Sequence, residues 1–554
     1  MVKVFCKNSG ETKEFQEGSY LYEIVDAFDF YRPYPILATK VNNVVEGLKF
    51  RIFNNRDVEF LDFRSYAGRN VYNRSLCFLL SKACQDVCPN SHLTLHRPIS
   101  KGFYCELIKA DGTRPDISDI EAIRCRMTEL VEAGAEFHRH EVRKHEAVEL
   151  FKTLGCSDKV NLLTTTDKVY VRYYTLEGTA DIYYDALLPN VGYLKVWSLE
   201  QYRDGLFLRV PDRHNPDSLA PFFEQPKTFD ALQESLNWNR IMGLNTAGDV
   251  NLACADGRAT ELINIAEALQ MRKLVHIAED IKARHDGPDK VRLVLITGPS
   301  SSGKSTVCDR LSTLLTACGL RPVSFSTDDY FVNRLDTPRL PDGSFDFDNF
   351  DTVDHNALQE DMIKLLHGEK VQVPQYNFVT GIREYNGKTL EINEDSVLLI
   401  EGIHALNPAL TDKVPDSEKY KIFINTITSV NIDDHNCIST SDNRLLRRII
   451  RDFNKGAFTA RDTIRNWHNV RRAEVKWIYP YQESADVLFN SAYLMEFAAL
   501  RRHGEQVLST VPKDCPEYSE AHRLLKFLQM FTPVCSRDVP QTSLLRGFIG
   551  GGRL

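Results

Sequence analysis

Apolar and polar positions alternate along the chain in blocks whose period shifts between two and about 3.6, and these shifts mark out its organisation. Through residues 1–62, apolar runs at 2–5, 36–41, 51–53 and 58–61 predict strands and 20–28 predicts a helix, which together make a small α+β unit. After residue 73 the pattern turns helical through Leu76, Cys77, Phe78, Leu79 and Leu80, then predicts a helix at 143–154 and strands at 168–174 and 193–198. Residues 63–212 therefore read as a second α+β unit. Residues 213–250 carry prolines, asparagines and polar turns, and read as a connector that extends to 287 through one helix at 261–284. That helix repeats Leu262, Ile265, Ala266, Leu269, Leu274, Ile277 and Ile281 near the helical period, and His285-Asp286-Gly287-Pro288 ends it. From 288 to 510, apolar strands beginning at 291 and spanning 322–326, 397–401 and 420–424 alternate with helices at 307–317, 355–367 and 442–452. This alternation implies an α/β fold, a doubly wound parallel sheet with helices on both faces. Residues 511–554 read as a C-terminal tail, and the glycines of its end, Gly547 to Leu554, allow that end either to dock or to move freely.

The strand beginning at 291 runs into Gly298-Pro299-Ser300-Ser301-Ser302-Gly303-Lys304-Ser305-Thr306, which has the Gly-x-x-x-x-Gly-Lys-Ser spacing of a phosphate-binding loop. The two glycines let successive N–H groups, including those of Ser300, Ser301, Ser302 and Thr306, converge on phosphate oxygens at the positive end of the next helix. Lys304 then reaches the terminal phosphates, and Ser305 offers its hydroxyl to Mg²⁺. A strand before the loop and a helix after it are the context such a loop requires.

Composition leaves this picture standing. Hydrophobic residues at 43% and charged residues at 26% suit an ordinary soluble protein. No apolar run approaches the roughly 20 residues of a membrane helix, and the first residues lack a secretory pattern, so a cytoplasmic location is expected. The 13 cysteines are scattered without a Cys-x-x-Cys pair, which favours reduced thiols over a disulfide framework or a zinc ribbon. A formal charge of −8 argues against a broad basic face for nucleic acid.

Three further patterns bear on chemistry. Asp328, in Ser326-Thr327-Asp328-Asp329-Tyr330, follows an apolar strand and either caps the next turn or faces the crevice as a general base for a substrate hydroxyl. Glu401 ends the strand at 397–401, where a carboxylate supports Mg²⁺. Arg444, Arg447, Arg448 and Arg451 share a helical face; four guanidiniums repel unless they share an anion, so they form either a solvated surface or a mobile lid on phosphates.

Taken in order, Gly298 to Ser305, Ser326 to Tyr330, Phe345-Asp-Phe347-Asp348, Pro374-Gln-Tyr376-Asn-Phe378, Ile400-Glu401-Gly402 and Asp442 to Arg448 resemble the uridine kinases of the phosphoribulokinase/uridine kinase family. The resemblance covers about 288–510 and implies a P-loop kinase using ATP and Mg²⁺ on the 5′-hydroxyl of a small-molecule nucleoside, uridine or cytidine. It implies roles for Asp328 and Lys304 in catalysis, for Asp348 on ribose hydroxyls, for Tyr376, Phe378 and Arg383 around the nucleoside, for Ser305 and Glu401 at the metal, and for Arg444, Arg447 and Arg451 on the phosphates. It also implies a homo-oligomer. Related uridine kinases place a histidine three residues beyond the second aromatic, where this chain has Gly381.

Upstream, 1–62 resembles a TGS domain and 63–212 the editing domain of threonyl-tRNA synthetase, on Ile99 to Glu106, Phe137 to Arg143, Ala147 to Phe151 and Leu188 to Gly192. The positions that carry the His and Cys groups of that domain's catalytic site hold Arg74, Phe78, Tyr183 and Leu187 here, none of which binds zinc well. His138, His140 and His145 lie on a charged stretch and read as surface residues. Asp433-Asp434-His435-Asn436, Pro480 to Glu483 and the tail Ser543 to Gly550 resemble fused proteins of the same three-part order, usually called nucleoside kinases. Two other functions fit the residues: phosphorylation of another hydroxylated metabolite, and an ATP-switched protein whose front half binds tRNA.

Overall fold

The computed structural model describes residues 1–288 and 290–553, and only the backbone of Arg97 and Pro98. Its central sheet contains β1 (Leu293–Thr297), β2 (Arg321–Ser326), β3 (Ser396–Glu401), β4 (Lys419–Asn425) and β5 (Val487–Asn490), all parallel, in the order β2-β3-β1-β4-β5. Alternation along β1 explains why the sheet is covered twice. Val294 and Ile296 pack on Leu274, Ile277 and Ile281 of helix Ala259–Asp286 and on Leu311 of α1 (Lys304–Ala317). Leu293 and Leu295 point the other way, onto Leu358 and Met362 of helix His355–Leu366. Three more helices complete this region: α2 (Thr440–Asn454), α3 (Ala460–Trp477) and α4 (Glu496–Leu508).

Among the described residues the front half holds four further sheets, one of them only the two-stranded pairing of Ser19–Tyr20 with Arg51–Ile52. The first has five strands; in Val2–Cys6, Val2, Val4 and Cys6 turn inward onto Leu21, Ile24 and Phe28 while Lys3 and Phe5 face outward. The predicted helix at 20–28 is shorter than expected, Leu21–Ile24 followed by a 3-10 turn, Val25–Ala27. A four-stranded sheet and the three-stranded sheet His138–Arg143, Tyr170–Leu176 and Thr179–Asp181 follow, with helices Tyr66–Val87 and Ile117–Ala133 in the same core.

Two expectations are corrected and one left open is decided. The strand predicted at 193–198 is a turn: Asn190 Oδ1 accepts from the Gly192 N–H, Val191–Tyr193 forms a 3-10 turn, and the strand begins only at Ser198. The connector contains helices Pro226–Met242 and Ala247–Ala255, the first burying Phe229, Leu232 and Leu236. Pro226 presets its first turn and Gly243 ends it, so the residues that look like turns in sequence are its caps. The tail is docked: helix Tyr518–Leu528 and Leu545 and Ile549 lie in one core with Leu446, Ile449 and Ile450 of α2.

The motif Asp433 to Asn436 joins the two halves. Buried Lys159 lies 3.1 Å from Asp158, 3.1 Å from Asp181 and 3.9 Å from Asp433. His435 Nδ1 lies 2.7 Å from Asp181, Tyr184 donates to Asp433 at 2.8 Å, and Asn436 donates to the Ile182 carbonyl at 2.8 Å. Among the described residues no helix is long and apolar enough to cross a membrane.

Candidate active site

Three strand ends on one sheet edge build the site. β1 leads into the loop at Gly298, where a Cβ would lie 2.2 Å from the Ile424 carbonyl of β4, so only glycine lets the loop start so close to its neighbour. Parallel register sets Ser326 of β2 beside Glu401 of β3, and Ile296 of β1 beside the same glutamate. Asp328 follows two residues after Ser326, so it emerges at the carboxyl edge with Glu401 and the loop. The capping alternative for Asp328 is taken by its neighbour, since Ser326 Oγ accepts from the Asp328 N–H at 3.2 Å.

Lys304 Nζ donates to the Gly298 carbonyl at 3.0 Å and the Pro299 carbonyl at 3.4 Å, folded along the loop. Burial holds its ammonium below the usual lysine value, while Glu401 and Asp328 pull it back. Ser305 Oγ donates to Glu401 Oε1 at 3.3 Å. Burial, reinforced by the negative charge of Glu401, pushes the Asp328 carboxyl up to about 7 against the attraction of Lys304. Burial also raises Asp348, which feels Arg448 and Lys304 and adds to the field on Asp328. Lys304, Ser305, Asp328, Asp348 and Glu401 thus share one crevice.

Gly402 fixes how Asp328 sits. A Cβ there would lie 1.8 Å from Thr327 Oγ1, so Gly402→Ala must displace the segment that carries Asp328. We expect that variant to lose about 1–3 kcal/mol of stability, as overpacking does, and to lose turnover as well. Thermal unfolding and ADP release measure the two effects.

The arginines depart from the expected lid. Arg444 and Arg447 are fully buried. Arg444 Nη2 donates to Glu474 of α3 at 2.8 Å, and Arg447 Nη2 donates to Glu496 of α4 at 2.9 Å. The anion that relieves their repulsion is therefore a protein carboxylate. From beneath the loop they grip its carbonyls, Arg444 at Ser300 (3.0 Å) and Arg447 at Ser301 (3.5 Å). Arg448 donates to Ser300 Oγ at 2.9 Å, and Arg451, paired with Asp452 at 2.9 Å, still repels Lys304. Of the four, Arg448 touches a loop side chain and Arg451 acts on Lys304 through its charge.

Tyr376 is buried against Phe331 at 5.5 Å and Phe378 at 5.0 Å, and Phe378 is 61% exposed at the edge of this aromatic group. Arg383 lies opposite Tyr376 across a hairpin, but its guanidinium is engaged by Asp354 at 2.8 Å. Gly381 has φ +73°, and a Cβ there would meet Arg334 at 2.7 Å, which accounts for glycine at this position. Sequence reasoning missed Glu474, whose carboxylate also accepts from the Ser300 N–H at 3.2 Å, and His404, buried and held neutral with its value lowered to about 4. His404 follows Glu401 by three residues, which was a readable signal; Glu474 gave none.

In the front half, the four positions that the editing-domain resemblance singles out lie together. Phe78 and Tyr183 lie 5.3 Å apart, buried Leu187 shares their core, and Arg74 pairs with Asp185 at 3.5 Å.

The phosphoribulokinase/uridine kinase family model matches residues 293–496. A uridine kinase of Mycoplasma genitalium is 31% identical over 182 residues, covering 33% of this chain and 76% of that protein. A threonine–tRNA ligase of Azobacteroides pseudotrichonymphae is 26% identical over 199 residues, 36% of this chain and 31% of that protein, so the chain spans about a third of the length of that ligase. Among solved structures, a possible uridine kinase from Bacillus stearothermophilus is 20% identical and covers 40% of this chain and 98% of its own, with a TM-score of 0.27. With its phosphate loop, its parallel sheet and a uridine kinase relative matched over most of that relative's length, the chain belongs to the phosphoribulokinase/uridine kinase family and has the P-loop kinase fold.

Proposed function

We propose that the protein transfers the terminal phosphoryl group of ATP, with Mg²⁺, to the 5′-hydroxyl of a ribonucleoside, uridine or cytidine. The observation that carries this reading is Asp328 beside Lys304 and Glu401 at one sheet edge, with its carboxyl pushed up to about 7. The chain's residues fit Mg–ATP. The buried hydroxyls of Ser301 and Ser302 have no hydrogen-bond partner among the described residues inside a loop of phosphate-binding spacing, and Ser305 and Glu401 offer the hard oxygen donors that Mg²⁺ prefers. When bound, Mg–ATP supplies the transferable group and neutralises its charge.

The remaining steps belong to side chains. Lys304 and the loop N–H groups hold and neutralise the phosphates, and Arg448 and Arg451 add positive charge at the crevice. Asp328 accepts the proton of the acceptor hydroxyl as its oxygen attacks phosphorus. Asp348 orients the ribose, and Tyr376 with Phe378 offers a face to the base. Arg444 and Arg447 act through the loop they support, and Arg383 acts through the hairpin it ties to Asp354.

Incubation with Mg–ATP and a panel of nucleosides and sugars, with products identified by mass, tests the reading. Uridine and cytidine should give monophosphates. If only non-nucleoside acceptors gain phosphate, the second reading replaces it, and Gly381 is the residue that favours that alternative, since it offers no side chain to the pyrimidine edge.

A further inference from the structure

A cavity of about 820 Å³ opens in the front half, and no residue of the phosphate loop or the crevice lines it. One wall is a sheet face. In the antiparallel pair of His138–Arg143 with Tyr170–Leu176, Arg139 opposes Tyr174 and Glu141 opposes Arg172, so alternation brings these four to the cavity side. The other side of the same strands packs Val142 and Tyr173 on Phe151. The facing wall comes from the first unit through Glu46, Lys49, Arg51 and Phe53, and Lys526 reaches in from helix Tyr518–Leu528.

Charge in the cavity is out of balance. Its lining holds Lys49, Arg51, Arg139, Lys168, Arg172 and Lys526 against the carboxylates Glu46, Glu141 and Asp185. Two of those carboxylates are already engaged, Glu141 by Arg172 at 2.6 Å and Asp185 by Arg74 at 3.5 Å. Burial raises the third, Glu46, against the attraction of Lys526, Arg139 and Arg172, none of which forms an ion pair with it. Arg139, Lys168 and Lys526 have no ion-pair partner among the described residues, and burial, with Lys526 and Arg172, holds the Lys168 ammonium below its usual value. Like charges crowded without a counterion mark a place for an anion. Aromatic surface lies beside them: Phe53 is 53% exposed and Tyr170 58% exposed, while Tyr183, which also lines the cavity, is 2% exposed with a hydroxyl that has no hydrogen-bond partner among the described residues.

We propose that this cavity is a second ligand site, taking a mononucleotide with its phosphate on Arg139, Lys168 and Lys526 and its base against Phe53 and Tyr170. A cavity of this size suits a small ligand, and planar side chains beside cations suit a base joined to phosphate. A long nucleic acid would need a continuous basic track, which a net charge of −8 does not favour. The proposal does not depend on which acceptor the crevice phosphorylates.

Calorimetric titration of the full chain with UMP, and with uridine as the control lacking phosphate, tests it. In the variant Lys168→Glu/Lys526→Glu, the number of UMP sites should fall by one, or one site should weaken more than tenfold, with uridine binding, kcat and KM unchanged. Lys168→Gln alone reads the same loss at smaller size if the double variant does not fold. Identical UMP titrations for parent and variants overturn the proposal. So does a short RNA whose binding these substitutions abolish while UMP binding stays intact.

Discussion

Asp328→Asn should lower kcat for acceptor phosphorylation by about 10²–10⁴-fold, the range typical of a lost general base, while ATP binding persists. Asparagine keeps the shape and the contact to Ser326 but cannot take a proton. The neighbouring charges make a second readout decisive. A carboxyl raised to about 7 by burial and Glu401 is protonated, and so unable to act, below that pH. In the parent, kcat/KM for the acceptor should therefore rise with pH towards a plateau. A bound cation beside Glu401 favours the carboxylate and moves the midpoint down from about 7, while the phosphate charge of ATP opposes that shift. In Asp328→Asn that limb should disappear. Steady-state ADP release across pH measures both effects, and a variant that turns over at the parent rate, or keeps the limb, would remove Asp328 from the mechanism.

What the chain reveals unaided follows the range of its interactions. The strand, loop and helix around Gly298 to Ala317 are legible because local spacing alone specifies them, and the same holds for the acids at the ends of β2 and β3. Residues 213–250 were misread because Gln225-Pro226 and Gly243, which open and close a helix, are the residues that also make turns. The Thr246 capping box with Asp249 was a usable signal there. The arginines of α2 show a different limit. Helical spacing placed them on one face, but their partners Glu474 and Glu496 lie 30 and 49 residues away, and no local pattern announces a contact across that distance. The tail hid its docking for a similar reason. Phe548 sits 4.8 Å from the Arg447 guanidinium, and its carbonyl accepts from Asn454 at 3.0 Å, contacts that exist only once α2 is in place.

Arg447→Met should unfold the protein more easily before it does anything specific to catalysis. The substitution leaves the buried Glu496 carboxylate without its cation, and it leaves the Ser491 carbonyl, which Arg447 reaches at 2.9 Å, with only the longer 3.4 Å donation from Gln270. Breaking one side of a buried pair costs about 3–5 kcal/mol, which corresponds to a fall of roughly 6–20 °C in the unfolding midpoint of the kinase region. Removing both charges in Arg447→Met/Glu496→Leu should recover most of that loss, since a buried pair replaced by apolar groups of similar volume is often neutral. The loop contact would not return with it. Neither variant can hold the Ser301 carbonyl, so the double variant should regain its melting temperature and still show a raised KM for ATP. A lid arginine would behave in the opposite way, keeping the melting temperature and losing kcat in the single variant. Thermal melts and ATP kinetics on both proteins therefore decide whether Arg447 supports the phosphate loop from below or closes over it from above.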